Sequence, residues 1–114
     1  MEDFDLNENY TGAVLKKPNG REVWVIIGVK GGKNVIYLAS TDSGNYNFNS
    51  NVCYEISPNF QNQNGLAKPT RFKLVPRYLP LHTLQLYFPK LRIGRLDDEH
   101  VQRLCQKLTL LNPE

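Results

Sequence analysis

Two β-branched runs, Val23–Val29 and Val35–Ser40, flank a pair of glycines, Gly31-Gly32. Runs this short and this rich in valine and isoleucine favour strands over helices, and the glycines permit a tight reversal between them. The pattern predicts an antiparallel hairpin, whose first strand is the most hydrophobic of the chain.

The other elements are read outward from that hairpin. Tyr10–Lys17 reads as a preceding strand anchored by Val14 and Leu15. Pro18-Asn19-Gly20 is the turn after it, since Asn-Gly tolerates positive φ. Residues 42–51 read as a loop in which polar residues alternate with Tyr46 and Phe48. Val52–Ile56 reads as a strand and Ser57–Pro69 as a second polar loop. In Arg71–Val75 basic and apolar residues alternate, giving one basic and one apolar strand face. Pro76, Pro80 and Pro89 predict an irregular stretch with short strands near Thr83–Tyr87 and Leu91–Ile93. From Asp97 the period becomes helical, with Val101, Leu104, Cys105, Leu108 and Leu111 on one face. Asp97 is placed as the N-cap, and Asp98 and Glu99 suit the positive end of the helix dipole. The order predicts a mainly β fold, a small bent sheet or barrel with a C-terminal helix packed on it.

Length and composition set the remaining bounds. A chain of 114 residues that is 40% hydrophobic fits one domain able to bury its own core. Residues 1–9 read as an acidic, flexible tail and residues 10–114 as the single domain. No run approaches the roughly 18 apolar residues of a membrane span. The N-terminus lacks the basic-then-apolar order of a signal peptide, so a cytoplasmic protein is the expectation. Cys53 and Cys105 have no metal-ligand spacing and read as buried free thiols.

The net charge of +3 is unevenly placed. Residues 1–9 hold four acids and no base, whereas residues 10–95 hold twelve Lys/Arg against three acids. A polyanionic partner follows from that excess, and a merely solvated surface is the plainer alternative. The hairpin carries Arg21 before its first strand and Ser40-Thr41 at the end of its second. If the strands pair, Arg21 and Thr41 share a cleft, and a guanidinium beside a hydroxyl suits a phosphodiester. Ser40 is the alternative to Thr41, because adjacent strand residues face opposite ways.

These blocks resemble the MazF/PemK family of toxin endoribonucleases. Tyr10-Thr11-Gly12-Ala13-Val14 is similar to the family's opening G-x-V/I strand. Arg21-Glu22-Val23-Trp24-Val25-Ile26 is similar to R-P-V-x-V-I, and Leu38-Ala39-Ser40-Thr41 to a strand ending in a Ser/Thr pair. Gly65-Leu66-Ala67-Lys68-Pro69-Thr70 resembles G-L-x-K-x-S/T. Ile93-Gly94-Arg95-Leu96-Asp97-Asp98-Glu99 resembles the closing I-G-x-L-D/S-x-E before a terminal helix. The likeness spans about residues 10–111. It departs at Glu22, which stands where the family has proline, and at Lys73 and Val75, where some members carry an Arg-x-Asp pair.

The resemblance implies a small SH3-like barrel, a homodimer, and an antitoxin whose acidic segment competes with RNA for the groove. It implies cleavage of single-stranded RNA without metal or other cofactor, leaving a 2′,3′-cyclic phosphate and a 5′-hydroxyl. Arg21 would neutralise charge on the phosphate oxygens, with Thr41 or Ser40 as hydroxyl donor. Arginine carries protons poorly, so its role is electrostatic. Lys16, Lys17, Lys68, Arg71 and Lys73 are the candidate phosphate contacts, and Tyr46 and Phe48 the candidate stacking residues. Trp24, inside a hydrophobic strand, reads as core. His100 reads as solvated beside Asp98 and Glu99, and His82 has no carboxylate nearby in sequence. The competing reading is a non-catalytic binding module, or a mobile-element regulator, that holds nucleic acid or a protein. A gyrase poison on the same fold is a third, because fold does not fix function.

Overall fold

The computed structural model describes residues 10–16, 22–41, 53–59, 61 and 63–111. The chain is mainly β with a C-terminal helix. Its strands are β1 (Ala13–Lys16), β2 (Val23–Lys30), β3 (Asn34–Ala39), β4 (Cys53–Ile56), β5 (Thr70–Lys73), β6 (Arg77–Pro80) and β7 (Arg92–Arg95). Helix α1 (Leu81–Leu91) separates β6 from β7, and α2 (Asp98–Leu111) ends the described chain.

Five strands form an antiparallel sheet in the order β6-β3-β2-β1-β7, and β4 and β5 form a separate two-stranded ribbon. The expected hairpin is β2–β3, with Trp24 opposite Ala39 and Lys30 opposite Asn34. Ribbon and sheet meet at a bridge between Ser40 and Phe72. Among the described residues the strands do not close into a barrel.

Both faces of the β2–β3 hairpin are buried, which explains its nearly unbroken apolar sequence. On one face Val14, Val25, Ile27, Ile36 and Leu38 pack against Ile56, Phe72 and Leu74 of the ribbon segment and Leu104 and Leu108 of α2. On the other, Ala13, Leu15, Ile26, Val29 and Val35 pack beneath Leu84 of α1, with Leu81, Phe88 and Leu91 beside it. Helix α2 starts as expected: the Asp97 carboxylate accepts a hydrogen bond from the His100 N–H at 2.9 Å, capping an otherwise unpartnered donor.

Helix α1 corrects the expectation of a short strand near Thr83–Tyr87, whereas the strand expected near Leu91–Ile93 is present as β7. Pro80 sits at the N-cap with φ −61°, outside the helical hydrogen-bond ladder. Pro89 falls in the final turn, so little of the helix lies beyond the bond it removes. Leu81, Leu84, Phe88 and Leu91 then make one apolar stripe at helical spacing.

The second polar loop is built around Asn64, which is only 3% exposed. Its side-chain amide donates to the Ser57 carbonyl at 2.9 Å, and its side-chain oxygen accepts from the N–H groups of Leu66 at 3.1 Å and Asn59 at 3.2 Å. The loop is thereby pressed backbone to backbone against β7. A β-carbon on Gly65 would collide with the Ile93 carbonyl, and one on Gly94 with the backbone carbonyls of Asn64 and Gln63. Gly65 also has φ +78°, a region that disfavours side chains. The two glycine motifs that carry part of the family resemblance therefore meet as packing partners. Gly94→Ala is expected to lower stability by about 2–3 kcal/mol through overpacking, and Asn64→Ala by about 1–3 kcal/mol by stranding buried donors. Urea unfolding of both variants measures this, and a neutral Gly94→Ala would refute the close approach.

Candidate nucleic-acid interface

The end of β3 is where sheet, ribbon and the expected hydroxyl pair come together. Ser40 donates its N–H to the Val23 carbonyl and accepts the Val23 N–H on its hydroxyl, both at 2.8 Å. That hydroxyl is thus tied to the entrance of β2. Thr41 turns the other way, donating its N–H to the Arg71 carbonyl of β5 at 2.9 Å. Strand alternation places its side chain on the face of Ala39 and Trp24 rather than on that of Ser40. Among the described residues, the Thr41 hydroxyl, unlike that of Ser40, has no backbone partner.

The expected phosphate contacts divide into separate places. Lys16 pairs across from Val23, which is itself opposite Ser40, so Lys16 and Ser40 share one cross-strand row. Two strand spacings separate them, about 10 Å. Arg71 and Lys73 lie on the outer face of the ribbon, opposite Glu55 and Cys53. Arg71 is half-buried, and its Nε donates to Glu55 at 3.2 Å, which reduces its free charge. Lys68 is exposed in the turn before β5. Arg21, Lys17, Tyr46 and Phe48 lie outside the described residues.

Glu22, the departure from the family motif, faces its own set of partners. Its carboxylate accepts the Trp24 indole N–H and lies 3.7 Å from the Arg77 guanidinium. Trp24 is half-buried and stacks at a tilt on Tyr37, with ring centroids 4.6 Å apart. The core role expected for Trp24 is therefore partial, because its indole edge serves a carboxylate. Arg77 was not singled out by sequence. Its link to Glu22 spans β2 to β6, and only the strand order brings them together.

His100 is not simply solvated. Its Nδ1 lies 3.1 Å from the Tyr54 hydroxyl, and the two rings meet edge to face. Lys107 stands 5.9 Å from the centre of the same phenol ring. His82 is exposed on α1. Among the described residues no three His, Cys, Asp or Glu side chains cluster as metal ligands. Cys53 is buried, whereas Cys105 is half-buried, correcting the expectation of two buried thiols. Burial pushes both thiols upward in pKa, and nearby Arg71 and Lys73 partly oppose this at Cys53.

Compared with known proteins, the chain matches no family model, no curated protein and no solved structure.

Two measurements follow from this geometry. Ser40→Ala is expected to cost about 1 kcal/mol in urea unfolding by freeing the Val23 N–H, and Thr41→Ala less than about 0.5 kcal/mol. The raised thiol pKa values favour the folded state while the thiols stay neutral. That stability is complete below the unfolded thiol pKa of about 8.5 and is lost as pH rises through the higher native values. A Cys53→Ala/Cys105→Ala variant should lose less stability than the parent between neutral pH and about pH 9.5.

Proposed function

We propose that this chain is a MazF/PemK-like endoribonuclease that cleaves single-stranded RNA without metal, acting as the toxin of a toxin–antitoxin pair. The observation that carries the reading is the junction at Thr41. Its backbone is fastened to β5 beside Arg71, while its side chain lies on the opposite face from the structurally engaged Ser40. Thr41, one strand-end from the start of β2, is then the hydroxyl available to a phosphodiester. Arg21 supplies the charge that stabilises the non-bridging oxygens. Lys73, on the ribbon face of Arg71, attracts a flanking phosphate, whereas Lys16 shares the Ser40 row and lies apart from this hydroxyl. The SH3-like barrel belongs to the same reading, and the Ser40–Phe72 bridge, where sheet passes into ribbon, supports it. So do a homodimer, an acidic antitoxin and a cytoplasmic site of action.

A second reading has its own support. Glu22 holds a carboxylate next to Arg21 in sequence, and Glu55 engages Arg71. A surface with two of its charges so balanced suits a module that holds nucleic acid or protein without cutting.

Incubation of the purified chain with a long single-stranded RNA in EDTA separates the two. Discrete cuts ending in cyclic phosphate are expected. They should fall by at least about 100-fold in Arg21→Ala, the scale of losing one transition-state donor, and fall also in Thr41→Ala. Ser40→Ala should keep its cutting where it stays folded. Intact RNA with a folded parent protein would overturn the cleavage reading in favour of the non-cutting module.

A further inference from the structure

We propose that Arg92, Arg95 and Gln63 form a binding site for a phosphoryl group, either a phosphodiester of a nucleic-acid strand or a free phosphate. The site lies at the β7 edge of the sheet, away from the Thr41 junction, and does not depend on the cleavage reading.

Simple alternation would set residues 92 and 95 on opposite faces of a strand. The pairing of β7 with β1 prevents this. Arg95 is opposite Ala13, Gly94 opposite Val14 and Arg92 opposite Leu15, so Ile93 is an extra residue in the ladder. Ala13 and Leu15 share one face, and the bulge turns both arginines to it. The bulge is fixed by the Asn64 loop, whose backbone fills the space against Gly94. Gln63, at φ 53°, accepts the Arg95 N–H on its carbonyl.

The result is an open depression of about 300 Å³ lined by Gln63, Arg92, Ile93, Gly94 and Arg95. Its lining residues include two arginines and a glutamine and no acidic residue. Among the described residues neither arginine has an ion-pair partner, in contrast to Arg71 with Glu55, Arg77 with Glu22 and Arg103 with Glu99. Arg92 lies 5.7 Å from the centre of the Phe88 ring, which is itself packed edge-on by Tyr10. This cation–π approach holds the guanidinium beside the ring and leaves N–H groups for an oxyanion. Two guanidiniums and an amide match the acceptors of a phosphoryl group better than those of a single carboxylate.

The test follows the arginine Nε–Hε signals of the ¹⁵N-labelled full chain during titration with inorganic phosphate and, separately, with hexauridylate. Sodium chloride at matched ionic strength is the control. Saturable shifts of Arg92 and Arg95 beyond that control are expected. Shifts with phosphate alone assign the site to a free phosphoryl ligand, and shifts with hexauridylate assign it to a strand's backbone. Arg92→Gln/Arg95→Gln, with an unchanged melting temperature, should weaken binding about tenfold or more. For hexauridylate it should also lower the log–log salt slope by about 1.4, the value for two phosphate contacts. Signals that respond to neither probe beyond the chloride control would overturn the proposal. Absence of RNA cleavage would leave these shifts intact.

Discussion

The fold depends on covering the β2–β3 hairpin from both sides. Val25, Ile26 and Ile27 on one strand and Val35, Ile36 and Leu38 on the other are all essentially inaccessible. A two-stranded ribbon of such residues cannot remain in water, and burying one aliphatic side chain is worth about 1.5–3 kcal/mol. One face is closed by the ribbon and α2, the other by α1. The remaining elements are arranged by that requirement. Strands β1 and β6 flank the hairpin, and the helices lie over and under it.

Much of this was legible in the sequence, and the losses have definite causes. The hairpin, β5 and α2 were readable because their periods are local: β-branched runs, alternating Arg71 to Lys73, and Val101 to Leu108 at helical spacing. Helix α1 was obscured because prolines usually interrupt helices, whereas Pro80 and Pro89 occupy positions at its ends where a missing N–H does little harm. The β7 bulge left no local mark at all. It exists only as a register between Leu15, Val14 and a strand some eighty residues away.

The candidate site divides in the same manner. Ser40 and Thr41 were found by composition, but their separation into an anchoring and an available hydroxyl needed the Val23 and Arg71 backbone partners. The cations came out as charges in sequence. Which of them are neutralised was decided by neighbours across strands, as Glu55 is to Arg71 and Glu22 to Arg77. Electrostatic character here is a property of register more than of composition.

The contact between the Asn64 loop and β7 is made by peptide groups, with glycine where the two chains touch. Only Asn64, Gly65 and Gly94 are constrained by it, while Gln63, Arg92 and Arg95 are exposed and none is part of the buried core. Selection could therefore replace those three residues almost independently of foldability. The rim of the sheet is a place where recognition is free to diverge while the architecture beneath it stays the same.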